Sequence, residues 1–184
     1  MCHANDGTFN EEKKEEVTSL DSDAQFFTPL NPEDNQPSVY KGYVTVSYAA
    51  APVAYRIVDV AHTGIEGRQC HTLAVSSFRM SILMADIVRG KMSTEILRKA
   101  ASATVIERLQ RLEYIVGEQM RRDQAYRAKL RIPPVMLHWQ SGTLINEGCL
   151  ETCVQFSLGR EIYWTNLRFE RVGCRWVCTF ADIG

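Results

Sequence analysis

Four cysteines near the C-terminus form two pairs of equal spacing, Cys149-x-x-x-Cys153 and Cys174-x-x-x-Cys178. Paired thiols can hold a soft metal, exchange electrons as a disulfide, or fill space as small apolar groups. The neighbouring residues decide between these. Both pairs lie where apolar residues recur at every second position, the mark of a strand. Three intervening residues on a strand separate the members of a pair by about 13 Å. A disulfide needs Cα atoms within ~7 Å. A structural zinc site needs its cysteines at tight-turn spacing. Packing is therefore the expected role of Cys174 and Cys178, and no metal or cofactor is expected.

The other reactive side chains form no constellation. His3, His62, His71 and His138 are scattered, and none stands at ligand spacing from another histidine or a carboxylate. His138 lies between Leu137 and Trp139 and suits a structural role. There is no Gly-rich phosphate loop, no nucleophile elbow and no pair of carboxylates. The sequence offers no acid or base for catalysis, so a non-catalytic chain is expected.

The elements that position these residues follow from periodicity. Leu73, Ala74, Phe78, Leu83 and Ile87 recur at three- to four-residue spacing and predict a helix ending at Gly90. Ser93 opens a short helix through Ile96, Leu97 and Ala100. Thr104 to Glu107 has capping-box spacing and opens a long helix carrying Val105, Leu109, Leu112, Ile115 and Val116. That helix must end before Pro133-Pro134. The period then changes to two. Strands are predicted at Val135–Gln140, Glu147–Leu158, Glu161–Arg171 and Cys174–Asp182, with Ser141-Gly142, Gly159-Arg160 and Val172-Gly173 in the turns. The expected fold is α+β: two to three helices followed by a four-stranded antiparallel meander, with the helices on one face.

Hairpin register assigns the faces. A Gly159-Arg160 loop sets Phe156 opposite Tyr163 and Val154 opposite Thr165. A Val172-Gly173 loop sets Leu167 opposite Cys178 and Phe169 opposite Trp176. Directly opposed residues share a face. One face then gathers Leu150, Val154, Phe156, Tyr163, Leu167, Phe169, Cys174, Trp176, Cys178 and Phe180, which is a core. The other gathers Cys149, Cys153, Gln155, Ile162, Trp164, Asn166, Arg168 and Val177. A Trp and branched apolar groups among polar ones make this second face either a partner or dimer surface or the bed for residues 41–63. That segment reads as a strand or an extended arm.

The net charge of −1 hides an asymmetry. Residues 1–40 hold nine acidic residues and two lysines, a net −7, leaving +6 for the rest. Few large apolar residues occur there, so 1–40 reads as a disordered acidic tail, and 64–184 as a single domain. No stretch is apolar enough to insert in a membrane, and no signal peptide is seen, so a cytoplasmic chain with reduced thiols is expected. From Arg98 to Arg131, nine basic residues face four acidic ones. Arg121, Arg122, Arg127 and Lys129 could displace counterions from RNA phosphates. Alternatively they form a solvated face with pairs such as Glu118–Arg122.

The ending Arg175-Trp176-x-Cys178-Thr179, followed by Asp182 and Gly184, carries a resemblance. From about Ile82 onward the chain resembles a family of small actinobacterial proteins with no established activity. Those proteins have an NTF2-like or cystatin-like helix-plus-sheet build, and they share a helical stretch similar to residues 95–112. Phe180 departs from the smaller residue usual in the family, and Val172-Gly173 replaces a turn pair such as Asp-Gly. The resemblance implies a cone of helices on a curved sheet. The family is often encoded near Sec-export genes, which implies a supporting role in export. It implies no catalytic residue.

Three functions are expected from these readings. The first is a cytoplasmic binding or adaptor module, acting as a homodimer or with a protein partner through Gln155, Ile162, Trp164 and Arg168. The second is an RNA-binding accessory using Arg121, Arg122, Arg127 and Lys129. The third is a small-molecule pocket inside the cone.

Overall fold

The computed structural model describes residues 36–46 and 51–184. Most of the expected acidic tail lies outside the described residues. Leu73, Ala74, Phe78, Met84 and Ile87 fall on one stripe of α1, Gly67–Val88, and are buried there. The helix stops at Gly90, whose N–H donates to the Ile87 carbonyl at 2.8 Å. A 3-10 turn follows over Thr94–Leu97, capped by Ser93. Helix α2 spans Ala103–Arg122. Its cap is Ser102, whose hydroxyl accepts from the Val105 N–H. This corrects the expected Thr104–Glu107 capping box: both residues already lie inside the helix. The basic stretch is then cut in two at Asp123, where the backbone is extended at φ −128° and ψ 106°. The Asp123 carboxylate accepts from the Tyr126 N–H at 2.9 Å and so caps a separate helix, α3, Gln124–Arg131. A local side-chain bond of this kind competes with continued helix.

The strands are β1 Ser38–Val44, β2 Val53–Asp59, β3 Val135–Asn146, β4 Cys149–Leu158, β5 Glu161–Val172 and β6 Arg175–Ile183. They form one sheet in sequence order, antiparallel throughout except for the parallel β2–β3 pair. The α+β class holds, and the expected four-stranded sheet is corrected to six strands. β1 and β2 make the difference. Val53, Tyr55 and Ile57 alternate inward along β2 and need a core to face. Joining parallel strands requires a long crossover, and the three helices are that crossover.

Two of the expected turns move. Ser141 and Gly142 lie inside β3, opposite Cys153 and Thr152. The Gly159-Arg160 loop stands where expected, with Phe156 opposite Tyr163 and Val154 opposite Thr165. In the last hairpin Val172 pairs with Arg175, so the loop is Gly173-Cys174. Gly173 takes φ 63°, a conformation a β-branched valine resists. The shift places Phe169 opposite Cys178, and a bulge beyond it places Phe180 opposite Arg168. Phe180 is therefore on the outer face and Cys174 is exposed in the turn, both against expectation, while Cys178 is fully buried.

The core lies between the helices and the inner face of the sheet. Ile57, Leu144, Leu150, Val154, Phe156 and Leu167 from the strands meet Leu73, Phe78 and Met84 of α1 and Val105 and Leu109 of α2 in one buried cluster. Each such side chain contributes about 1.5–3 kcal/mol. A buried arginine ties the layers at one end. Arg89 pairs with Asp86, and its Nη1 donates to the carbonyls of Leu130 at 3.1 Å and Pro133 at 2.6 Å. It thereby fixes the end of α1 to the exit of α3. Among the described residues no helix is long and apolar enough to cross a membrane.

Candidate functional site

With the helices on the inner face, the outer face of the sheet is the broadest surface to consider. Cross-strand pairing arranges it in rows. One row runs Tyr43, Ala54, Trp139, Gln155 and Trp164. The next runs Lys41, Arg56, Ser141, Cys153, Asn166 and Asp182, and a third runs Val39, Val58, Thr143, Glu151, Arg168 and Phe180. Trp139 and Trp164 meet edge to face across Gln155, with centroids 6.1 Å apart and planes at 89°. That geometry is the favoured one for aromatic pairs. Ile162 lies at the margin, 61% exposed.

Two β-bulges build this face. Between Leu137 and Trp139 the β3–β4 register shifts, with His138 the extra residue. Strict alternation from Leu137 would send Trp139 into the core. The bulge turns it outward, where it is 39% exposed. The β5–β6 bulge at Thr179 does the same for Phe180, which is 43% exposed. A bulge re-aims a side chain at the cost of one unpaired residue. Both bulges here deliver an aromatic ring to the same side.

The structure thus brings the expected Gln155, Trp164, Arg168 and Ile162 to one face and adds Tyr43, Trp139 and Phe180. Sequence reasoning placed Trp139 beside His138 on a regular strand and counted Phe180 as core. Nothing in a two-residue period marks a bulge. The expected alternative, that 41–63 lies across this face, is corrected: β1 and β2 widen the sheet at its edge instead. Arg168 is not a free cation. Its Nε donates to Glu151 at 2.9 Å. At the β6 edge Arg108 pairs with Asp182 at 2.7 Å and stacks over Phe180 at 5.5 Å. A depression of about 430 Å³ is lined by Ser141, Cys153, Asn166, Arg168 and Phe180, among others.

The thiols here are not poised for chemistry. Burial pushes the Cys153 thiol up, and burial dominates at Cys149 too, opposed by Arg168 and reinforced by Glu170 and Glu151. The neutral thiol is favoured, whereas nucleophiles and metal ligands are thiolates. Among the described residues no group of three or more His, Cys, Asp or Glu could hold a metal ion. Cys70 is fully buried and pushed up to about 12 by burial and then by Asp59. Asp59 accepts from the Thr63 N–H at 2.8 Å and hydroxyl at 2.9 Å, a latch at the end of β2.

The four expected nucleic-acid residues are divided. Arg121 and Arg127 line a groove of about 470 Å³ together with Arg89, Arg131, Gln110, Glu113 and Tyr114. Lys129 turns away and pairs with Glu161 at 2.9 Å. Arg122 lies 3.9 Å from Glu118, which also holds Arg121. Between the helices and the end of the sheet, a recess of about 140 Å³ is lined by Val116, Tyr126, Leu130, Leu158, Tyr163 and Ile183, among others. Apart from the committed Arg89 at its edge, the recess offers hydrocarbon and two phenol rings. Compared with known proteins, the chain matches no family model, no curated protein and no solved structure.

Proposed function

We propose that this chain is a non-catalytic binding module acting through the outer face of its sheet, and that a second copy of the chain is its partner. The observation carrying this reading is that two bulges turn Trp139 and Phe180 to the face that also carries Trp164, Ile162 and Tyr43. Exposed aromatic clusters on an otherwise folded surface mark interaction sites. The size fits as well. Six strands at ~4.8 Å spacing make a face roughly 29 Å wide, and roughly 25–30 Å of strand length brings it near the ~800 Å² per partner of a standard interface.

The charges favour a self-pairing with a defined orientation. The middle row begins with Lys41 and Arg56, continues through uncharged Ser141, Cys153 and Asn166, and ends in Asp182. A two-fold axis parallel to the strands, between β3 and β4, lays Lys41 and Arg56 of one copy over the Arg108–Asp182 pair of the other and away from its Lys41 and Arg56. Such a self-complementary patch is what a two-fold interface requires. The export-linked role implied by the family resemblance would then belong to the dimer.

Light scattering on the full chain tests this. A dimer mass is expected, falling to monomer in Trp164→Asp with an unchanged circular dichroism spectrum. In a variant retaining Cys153 but with Cys2, Cys149 and Cys174 replaced by Ser, a short thiol cross-linker should join two copies. A monomeric wild type, or a dimer indifferent to Trp164→Asp, would overturn the reading.

A further inference from the structure

The helical layer, on the opposite side from the sheet face, carries charges that obey two different rules. Along the solvated side of α2 the charges are matched: Arg111 with Glu107 at 3.7 Å, and Arg121 and Arg122 with Glu118. At the mouth of the groove between α2 and α3 they are not. Arg127 and Arg131 line it, and the turn after α1 reaches it at Gly90, while the next residue, Lys91, lines the neighbouring depression with Asp86 and Arg89. Among the described residues none of these three cations has an ion-pair partner. Burial, then Arg89 and Arg131, hold the Lys91 ammonium below its ordinary value, with Asp86 acting in the opposite sense. Glu113 is the one carboxylate in the groove lining.

This arrangement is built in by the fold. The buried Arg89 guanidinium is spent on Asp86 and on the Leu130 and Pro133 carbonyls. Those bonds hold the turn bearing Lys91 against the helix bearing Arg127 and Arg131. Like charges gathered from two separate segments repel, and an anion in the groove relieves that repulsion. The groove also has an aromatic wall. Tyr114 is 67% exposed on α2, where no packing requires a ring. It faces a second depression of about 470 Å³ lined also by Gln110, Ile115 and the Glu107–Arg111 pair. Unpaired cations followed by an open aromatic face make a continuous track.

We infer that this track binds single-stranded nucleic acid, with phosphates on Arg127 and Arg131 and a base stacked on Tyr114. The class follows from the combination. A free phosphate has no use for Tyr114, and a duplex cannot offer it an unstacked base. A basic groove beside an aromatic platform is the general solution for single strands. Of the four basic residues expected from sequence to contact RNA, Arg127 is central to the track, Arg121 lies at its wall, and Arg122 and Lys129 are outside it.

Fluorescence anisotropy of a labelled oligouridine against the full chain tests the inference. Binding is expected at low salt, with log affinity falling against log salt at about −0.7 per phosphate held. Arg131→Glu and Arg127→Glu should each weaken binding at least tenfold and flatten the salt slope. Tyr114→Ala should weaken it roughly fivefold to a hundredfold while leaving the slope unchanged. Arg122→Glu, which removes the same charge outside the groove, should change affinity less than threefold. No binding at low salt would overturn the inference, as would an Arg122→Glu effect equal to that of Arg131→Glu. Full competition by inorganic polyphosphate with no effect of Tyr114→Ala would reduce the groove to a general anion site and overturn it too.

Discussion

Along β4 the side chains alternate between Leu150, Val154 and Phe156 on one side and Cys149, Cys153 and Gln155 on the other. The same backbone serves two solvents. The inner side is filled to near-complete exclusion of water by Phe78, Met84, Leu109 and the strand residues facing them. Some of its polar groups are satisfied across the layers, as where Ser81 and Thr165 share a hydrogen bond at 2.5 Å, while the buried Gln140 amide and Thr152 hydroxyl have no hydrogen-bond partner among the described residues. The outer side mixes rings with hydroxyls and matched charges, and of the sheet's three departures from regular pairing two turn an aromatic ring to it. Regularity on one side and deliberate irregularity on the other separate what holds the fold from what the fold presents.

The contrast can be attacked first at Phe156, fully buried and stacked on Tyr163 at 5.6 Å. Phe156→Ala should cost about 3–5 kcal/mol in denaturant unfolding. A loss below about 1 kcal/mol would mean that the inner side is not the core. A second effect separates the cysteines. Burial holds the Cys70 and Cys178 thiols at about 12, against an ordinary 9.0. Below about pH 9 both folded and unfolded chains keep these protons, and the stabilisation from burying neutral thiols is complete. Between about 9 and 12 the unfolded chain loses them while the folded chain keeps them, so stability falls as pH rises. The fall should be shallower in a Cys70→Ala, Cys178→Ala variant. Among the five cysteines of the described residues, native-state alkylation should reach Cys174 first, and these two only on unfolding; early modification of Cys178 would contradict its placement. The smallest effect belongs to the outer side: Ile162→Thr should change unfolding stability by no more than about 0.5 kcal/mol while weakening self-association. A large stability loss would erase the distinction between the faces.

Much of this was legible in the residues. The α1 stripe, the Ser93 cap and the Gly159-Arg160 hairpin rest on local spacing and local turn chemistry, which a sequence displays directly. What escaped depends on distant partners. Gly142 resembled a turn residue, yet it sits in mid-strand because Ile57 of β2 and Thr152 of β4 crowd it: an added Cβ would lie 3.2 Å and 3.1 Å from them. Part of that demand comes from β2, a neighbour in the sheet that the whole helical crossover separates from it in sequence. The Asp123 break was hidden because Asp is an ordinary residue on a helix surface, and its capping bond appears only once the turn has formed. Of the outer face, Gln155, Ile162, Trp164 and Arg168 were found because their hairpin register is local. Trp139 and Phe180 were not, because a single inserted residue inverts parity without altering composition. The groove cations were half visible as a basic run, but their approach to the turn at Gly90 needs the buried Arg89 to fold one turn against another.

The parallel joint between β2 and β3 also sets an order in time. The β3–β6 meander closes through short turns, whereas Ala54 meets Trp139 only after the whole helical crossover has been laid down. Non-local pairing of that kind is reached late. The β1–β2 hairpin should therefore dock last and leave first, its amides exchanging with solvent sooner than those of β4. Each departure would bare the edge of β3 as a row of unpaired backbone groups. The strand that carries Trp139 is thus also the one whose protection is most readily withdrawn.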